Sequence, residues 1–321
     1  MPYKKYLVLL NFTGDKHQKF SSKEKVPLTG GLILLISFFF IFFYYDFILS
    51  IYISLIFFLG LFSDLKLISS PKLRFLFQVL LLLSFVYFLQ LEITNTRIII
   101  LDNMMKNDLF AYLFVVFCTL ILINGTNFID GLNTNVLGYF IILSFCIFQK
   151  EFYVLLDINK LQWMNWMYCL FVLFVFNFFN QLFIGDNGAY LIGLLYSFFL
   201  IKFHYVNPLI SPFYIVLLIW YPCFEILFSV IRKIKFNKSP FKPDNKHLHQ
   251  MIFYIIKKNF KLKLVISNTL SANLINIYNI IIIFFASLNI YNSQYQILFL
   301  ILNLIVYVFM YMRIINIPYK V

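Results

Sequence analysis

Long apolar segments recur along this 321-residue chain and constrain its fold more than any other feature. Ten of them, separated by short polar links, lie at residues 30–46, 47–62, 74–91, 109–124, 136–149, 163–181, 188–203, 210–231, 270–288 and 295–312. A membrane-spanning helix takes about 20 residues. Apolar residues make up 62% of the chain, against about 45–50% in a typical soluble domain, which excludes a water-soluble fold. We therefore predict an all-α, polytopic integral membrane protein with about ten transmembrane helices, in which residues 1–321 form a single membrane-embedded domain.

Lysine and arginine are distributed unevenly between the polar links. If every segment crosses the membrane, the links on one side carry 21 of the 26 Lys and Arg residues, and those on the other side carry five. Because cytoplasmic loops carry an excess of these residues, residues 1–29 are predicted to be a cytoplasmic N-terminal segment and residues 232–269 a basic cytoplasmic loop. Abundant Phe, Ile, Asn, Lys and Tyr are typical of AT-rich coding, so the formal net charge of +13 does not by itself indicate nucleic-acid binding.

The polar residues that could carry chemistry gather on the predicted cytoplasmic side. One group follows the fourth apolar segment, where Asn124, Asn127, Asp130 and Asn133 recur at intervals of three. Asn127 and Asp130 would lie on adjacent strips of one helical turn. An amide beside a carboxylate suits Mg²⁺, which takes few protein oxygens and keeps its waters. A polar helix cap in an asparagine-rich chain is the alternative explanation.

A second group surrounds Asp186, which lies between Gly185 and Gly188 where one apolar segment ends and another begins. Glycines let the backbone approach a ligand closely, and the start of the next helix favours phosphate. A plain Gly-Asp-Asn-Gly turn is the alternative, and it is the commoner explanation of such a tetrapeptide in isolation.

A third group follows the second apolar segment. Asp64 lies at the predicted membrane exit, and Lys72 and Arg74 precede and begin the next segment. These two cations could bind the phosphate of a lipid head group. Cations at a bilayer rim also anchor helices or attract anionic lipid, which is the alternative.

The basic loop contains a fourth group. His247 and His249 are two residues apart among lysines, an arrangement that suits contacts to phosphate. With Asp244 they could instead form a zinc site, although no further ligand is apparent. Glu225 lies within an apolar segment, two helical turns before Arg232 on the same face. It is therefore either a functional acid or the private ion-pair partner of Arg232.

Five strings in chain order carry a resemblance to a known family. They are VPLTGG at 26–31, SDLKLISSPKLRFLFQ at 63–78, NGTNFIDGLN at 124–133, FIGDNGAYLIG at 183–193 and PCFEILFSVIRKIKFNKSPFKPDNKHLHQ at 222–250. With these strings the chain resembles the polyprenyl-phosphate N-acetylhexosamine-1-phosphate transferases of the glycosyltransferase family 4 type. The peptidoglycan phospho-MurNAc-pentapeptide transferase is a more distant relative, and the single-spaced His-x-His favours the first group.

The resemblance implies an enzyme that transfers a sugar-1-phosphate from a UDP-sugar to undecaprenyl phosphate and releases UMP. Such a step initiates a cell-surface polysaccharide such as the O-antigen of lipopolysaccharide. The resemblance further implies Mg²⁺ as the cofactor, with Mn²⁺ as an alternative, and an active site at the cytoplasmic face of the bacterial cytoplasmic membrane. Its partners would be the UDP-sugar, the polyprenyl phosphate and membrane lipids, with no nucleic acid, and the chain could form a homodimer.

The resemblance also assigns roles to individual residues. Asp186 would ligate Mg²⁺, and Asn127 would help to hold the metal and the diphosphate. Asp64 and Asp130 would orient or deprotonate the attacking phosphate and the nucleotide. The remaining candidates would bind substrate, and they are Asn124, Asn133, Lys72, Arg74, Arg232, Lys246, His247 and His249.

The chain departs from the family pattern at several positions. Ser63 replaces the first of two paired aspartates, Ala189 replaces a serine, and Gln250 replaces the second histidine of the closing pair. The family begins with a full span, whereas here only Tyr6–Asn11 precedes the polar N-terminal stretch. A lost first helix or a start codon placed too late would explain the difference. Two alternatives stay open, namely an impaired relative that binds the carrier lipid without turnover and a transporter of lipid-linked sugars.

Overall fold

A computed structural model describes residues 10–11, 26–43, 45–240 and 246–315. Within these residues, two short strands, β1 (Leu10–Asn11) and β2 (Val26–Pro27), pair antiparallel, and every other regular element is helical. The helices are α1 (Gly30–Phe42), α2 (Phe47–Asp64), α3 (Pro71–Phe88), α4 (Ile99–Met104), α5 (Asp108–Ile129), α6 (Asn135–Gln149), α7 (Phe152–Leu155), α8 (Lys160–Phe178), α9 (Gly185–Val206), α10 (Pro212–Leu218), α11 (Trp220–Lys235), α12 (Leu248–Phe260), α13 (Leu264–Ala286) and α14 (Ser293–Ile315).

The helices confirm an all-α, polytopic membrane protein. Seven helices of the described residues are long and apolar enough to cross a bilayer, or eight spans if the bent pair α10 and α11 counts as one. The apolar helices α1 and α6 have only 13 and 15 residues, fewer than the about 20 that a full crossing takes. The predicted number of about ten spans is therefore not confirmed.

The predicted segment 210–231 is not one straight helix. It breaks at Ile219, and α10 and α11 meet at an angle of 81°. Pro222 lacks the backbone N–H that would bond to the Leu218 carbonyl one turn earlier. That carbonyl accepts a hydrogen bond from the Tyr139 hydroxyl instead, at 2.8 Å. The break is stable because a side chain of another helix replaces the lost backbone donor.

The basic loop predicted at 232–269 is also more structured than expected. Helix α11 continues to Lys235, and the loop contains a further helix, α12. This helix is amphipathic, since Met251 and Ile256 are buried whereas Lys257 and Lys258 are exposed. The apolar face packs against α13 and α14, and this packing orders a segment that its charge alone would place in solvent.

Helix α9 is the centre of the bundle. All but four of its 22 residues are buried, and it packs against α1, α2 and α5. A helix that is apolar on every side is expected at the core of a large bundle. Gly193 allows the closest approach to α5, because a Cβ at this position would lie only 2.7 Å from the Ile123 Cα atom. Small residues at such crossings let membrane helices pack backbone to backbone.

Gly193→Ala is expected to destabilise the bundle. The added methyl group meets backbone atoms that cannot move aside, and overpacking of this kind costs about 1–3 kcal/mol. Thermal unfolding in detergent micelles measures the effect as a lowered midpoint. Ser197→Ala, one turn later on the same helix, is the matched control, because Ser197 bonds only to the Leu194 carbonyl of its own helix among the described contacts. Equal midpoints for Gly193→Ala and the control would contradict the close crossing.

Candidate functional site

The start of α9 is capped by a carboxylate from another helix. Asp64, the last residue of α2, accepts hydrogen bonds from the backbone N–H groups of Asp186 at 3.0 Å and Asn187 at 3.1 Å. The first N–H groups of a helix have no partner within the helix, and a carboxylate at this end is further stabilised by the helix dipole. Gly185 precedes these residues with a φ of +74°, and a Cβ there would lie 2.8 Å from the Asp64 Oδ2 atom. Glycine is therefore required for Asp64 to reach the helix start.

The string VPLTGG supports the same helix start through its backbone. The N–H groups of Gly30 and Gly31 donate to the carbonyl groups of Phe183 and Ile184, at 3.0 and 3.2 Å. The Phe183 N–H in turn donates to the Pro27 carbonyl at 2.9 Å. These bonds fasten the link before α9 to the start of α1, so this motif holds the position of Asp186 rather than supplying a chemical group.

The Asp186 side chain is the meeting point of four helices. Its Oδ2 atom accepts hydrogen bonds from the Ser63 hydroxyl at 2.5 Å and from Arg74 Nη1 at 2.9 Å. Its Oδ1 atom accepts from the Asn127 amide at 2.7 Å. Arg74 also donates to the Ser63 hydroxyl. The structure thus brings together Asp64, Arg74, Asn127 and Asp186 as the sequence predicts, and it adds Ser63 as a neutral bridge between the cation and the acid.

Asp130 follows the last residue of α5 and contributes a third carboxyl group to this region. Burial raises the pKa of Asp130 well above its usual value, and the carboxylates of Asp186 and Asp64 raise it further. One guanidinium, that of Arg74, is the only cation in direct contact with Asp186 among the described residues. The region therefore gathers three acids around one guanidinium, and a divalent cation would stabilise their ionised forms.

The oxygen donors in this region fit Mg²⁺ or Mn²⁺. No three histidine, cysteine, aspartate or glutamate side chains of the described residues converge on one point as a complete metal site would require. Mg²⁺ needs only one or two protein oxygens, because it keeps several waters and binds substrate phosphates directly. Asp186, with the amide of Asn127 beside it, supplies such a partial set. The side chains of Asp186 and Arg74 are each 26% exposed, so ligands can reach the acid.

Residues 247–249, which we call the histidine segment, lie against the end of α5 and Asp130, the residue that follows it. The His247 ring meets the Phe128 ring edge-on at a centroid distance of 5.1 Å. His249 is fully buried, and its Nε2 atom lies 2.7 Å from where a Cβ of Gly131 would stand. Burial lowers the pKa of His249 to about 3, so its ring is neutral at physiological pH. The predicted phosphate contacts of the two histidines stay predictions, and Asp244 lies outside the described residues.

Of the two explanations of Glu225, the one that pairs it with Arg232 is not what the described residues show. Within the described part of the chain, Glu225 Oε1 instead lies 3.0 Å from His247 Nδ1. Arg232 is buried, donates to the Ser229 hydroxyl at 3.3 Å and faces the Tyr311 ring at 5.9 Å. Lys246 is exposed, and its carbonyl accepts a bond from the Tyr311 hydroxyl. Arg232 and Lys246 thus both contact Tyr311, one through its guanidinium and the other through its backbone carbonyl.

Three further predicted substrate-binding residues, outside the basic loop, are also not bonded to Asp186. The Asn124 amide donates to Gln78 Oε1 at 2.9 Å and so joins α5 to α3. Asn133 is buried, with its N–H bonded to Asn268 Oδ1 at 2.7 Å and its amide bonded to Asn180. Lys72 is exposed in the first turn of α3. Asn133 therefore fastens the turn after α5 to α13 and to the link before α9, which spacing alone did not indicate.

Sequence reasoning missed two residues that the structure joins to these groups. The sequence gives no sign that Ser63 contacts other site residues, whereas its hydroxyl bonds to both Arg74 and Asp186. Tyr307, on α14, bonds to Glu225. Nothing in its sequence context distinguishes Tyr307 from the other 21 tyrosines. Its partner lies 82 residues away along the chain, which no local pattern can indicate.

Residues 46–204, which contain every residue bonded to the Asp186 side chain, match the family model described as glycosyl transferase family 4. Over these residues, about half of the chain, the sequence is similar to glycosyl transferase family 4. The histidine segment and Glu225 lie outside the matched range.

Two curated relatives are similar to parts of this chain. The undecaprenyl-phosphate alpha-N-acetylglucosaminyl 1-phosphate transferase of Thermotoga maritima is 32% identical over 97 residues, which are 30% of this chain and 32% of the relative. The decaprenyl-phosphate N-acetylglucosaminephosphotransferase of Mycobacterium leprae is 27% identical over 158 residues, covering 43% of this chain and 40% of the relative. The chain thus matches well under half the length of each relative.

The free energy of unfolding is expected to decrease as the pH is lowered, and part of this decrease comes from His249. Its pKa is about 3 in the fold and 6.5 as the usual value, so the unfolded state takes up a proton first as the pH falls. The native state is therefore favoured above pH 6.5 and loses this contribution as the pH falls from 6.5 to 3. Between about pH 7 and about pH 5 the loss amounts to about 2 kcal/mol.

His249→Leu removes this titration, so its unfolding midpoint is expected to depend less on pH than that of the native protein. Thermal unfolding in detergent at both pH values measures the difference. Gln250→Leu, a change at the neighbouring buried position without a titrating group, is the control and should keep the native pH dependence. The same pH dependence in His249→Leu and in the native protein would contradict the neutral, buried state of His249.

Proposed function

We propose that this protein transfers N-acetylhexosamine-1-phosphate from a UDP-sugar to a polyprenyl phosphate and releases UMP. The observation that carries the proposal is Asp186, which projects from the start of the buried α9 helix and is bonded by Arg74, Ser63 and Asn127. The family match and the names of both relatives support the same class of reaction. The alternative of a lipid-linked-sugar transporter has no comparable support.

The chemistry requires positioning and charge neutralisation more than a strong base. An oxygen of the lipid phosphate attacks the sugar-side phosphorus, the bond from that phosphorus to the bridging oxygen breaks, and UMP leaves with the bond electrons. Phosphoryl transfer of this kind depends mainly on orientation and on countering negative charge. The lipid phosphate is already anionic at neutral pH, so a dedicated general base is not needed.

The described residues suit these requirements. Arg74 places a guanidinium beside Asp186, where it can also reach a phosphate oxygen. Asp130, whose raised pKa keeps it protonated more readily than an ordinary aspartate, can donate a hydrogen bond to a phosphate. Asp64 holds the helix start rather than facing outward as a base. Asp186 and Asn127 would hold Mg²⁺, with Mn²⁺ as the alternative. The bound ion would stabilise charge on the diphosphate.

The charge distribution supports a location in the bacterial cytoplasmic membrane with the N-terminus and the site on the cytoplasmic side. The residues around Asp186 lie at the end of the bundle where α2 and α5 finish and where α3 and α9 begin. Lys235, Lys257 and Lys258 lie in the basic segment that the charge pattern places on this side. A UDP-sugar would then bind from the cytoplasm, and the lipid phosphate would bind from the bilayer.

Asp186→Asn is expected to lower turnover by about two orders of magnitude or more, because it removes the charge that would hold the divalent ion. The purified protein is incubated with undecaprenyl phosphate, Mg²⁺ and a panel of UDP-sugars, and UMP release is followed. Asp46→Asn is the matched control, since Asp46 caps the opposite end of α2 through Leu49 N–H and asparagine caps helices equally well. Near-native turnover of Asp186→Asn at limiting Mg²⁺ would exclude the proposed role.

Ser63 favours one competing function, that of a relative that binds the carrier lipid without turnover. If the protein is active as it stands, Ser63→Ala should lower UMP release less than about tenfold, because the direct bond from Arg74 to Asp186 remains. Ser63→Asp should be tolerated, since Arg74 lies beside the new carboxylate. Inactivity of the native protein together with activity of Ser63→Asp would identify the chain as the non-catalytic relative.

A further inference from the structure

A buried carboxylate outside the Asp186 region holds two distant parts of the chain together. Glu225, on α11, is only 1% exposed. Its Oε1 atom lies 3.0 Å from His247 Nδ1 and accepts the Leu248 N–H at 3.2 Å. Its Oε2 atom accepts the Tyr307 hydroxyl of α14 at 2.5 Å. We call Glu225, Tyr307 and His247 the clamp.

Glu225 accepts a hydrogen bond from the first backbone N–H group of α12. His247 precedes this helix and makes no side-chain cap bond of its own, so the first N–H group of the helix takes Glu225 as its acceptor. A buried carboxylate is retained only where hydrogen bonds replace its lost hydration. Glu225 has three of them, and together they bring α11, α12 and α14 to one point.

The histidines connect the clamp to the turn that follows α5. The rings of His247 and His249 stack at 5.6 Å with an interplanar angle of 15°. His247 also packs on Phe128, and His249 packs on Gly131. We call residues 127–131, which are the last three residues of α5 and the two that follow them, the turn 127–131; its first residue, Asn127, bonds to Asp186. Contacts therefore run without interruption from Tyr307 through the histidines to the Asp186 region.

We propose that Glu225 and Tyr307 are positioning residues that hold the histidines against the turn 127–131 and so set the placement of Asn127 and Asp130. The idea rests on the proposed function, because the turn matters catalytically only if Asp186 and its neighbours perform the transfer. Neither residue touches substrate in this scheme. They act through His247 and the turn.

The test uses the full chain in detergent micelles and two variants. Glu225→Gln keeps the shape of the side chain but removes its charge, and Tyr307→Phe keeps the ring but removes the hydroxyl donor. Tyr278→Phe is the matched control, because the Tyr278 hydroxyl bonds to Asn303 and likewise joins an α13 tyrosine to α14. Hydrogen exchange, followed by mass spectrometry, reports on residues 246–252 and 127–133 separately. UMP-release kinetics give kcat and KM for each folded variant.

Both clamp variants are expected to exchange faster in residues 246–252 and in residues 127–133, whereas the control exchanges like the native protein. The kcat value should fall about tenfold or more with a smaller change in KM, since a displacement of about 1 Å can cost about a hundredfold in rate. The double variant should lose little beyond either single change, because both act on one element.

Faster exchange confined to residues 246–252 would overturn the proposal, since the clamp would then hold its own helix and not the turn. Unchanged exchange in both segments would overturn it equally. Faster exchange in both segments with an unchanged kcat in an active protein would also overturn the proposal, because the clamp would then stabilise the fold without affecting catalysis. If the native protein releases no UMP, the proposed function fails, and the exchange of residues 127–133 still decides whether the clamp positions the turn. If Glu225→Gln does not fold, Tyr307→Phe alone tests whether the clamp positions the turn 127–131.

Discussion

A helix that begins inside a protein must find partners for its first N–H groups, and this constraint organises the centre of the molecule. Helix α9 is buried along almost its whole length, and its first N–H groups are satisfied by another helix. The acceptor is Asp64, which closes α2 and takes both N–H groups at once. With that end fixed, Asp186 can project from the same turn toward Arg74 and Asn127. The candidate site is therefore the polar end of an otherwise apolar core.

Side chains of neighbouring helices also bond to unpaired backbone groups elsewhere in the bundle. Glu225 accepts the first N–H of α12, and the Tyr139 hydroxyl replaces the donor that Pro222 lacks at the break between α10 and α11. In each case a side chain of one helix satisfies a backbone group of another. Unpaired backbone groups cost several kcal/mol away from water, so such bonds decide where helices can end or bend within a membrane protein.

The charges around Asp186 explain why a neutral serine is compatible with position 63. Three carboxyl groups and one guanidinium already share this region, and the pKa of Asp130 is raised by burial first and then by repulsion from the other two acids. A fourth carboxylate at position 63 would increase that repulsion and would compete for Arg74. The serine hydroxyl instead donates to Asp186 and accepts from Arg74, which holds both groups without adding charge. The departure from the family pattern is therefore compatible with an intact arrangement of the neighbouring residues.

The sequence by itself determined the membrane-embedded, all-helical class and much of the acid-centred site. Apolar length and composition report whether a segment lies in lipid or in water, and the family strings identified Asp64, Arg74, Asn127 and Asp186 before any contact was known. The tertiary structure alone decided the break at Ile219, the helix α12 within the basic loop, the placement of Asn133 on Asn268 and the bond from Tyr307 to Glu225. Each of these depends on a partner that is remote in the chain. Local periodicity records the average surroundings of a residue, but it does not record which distant side chain satisfies a buried polar group.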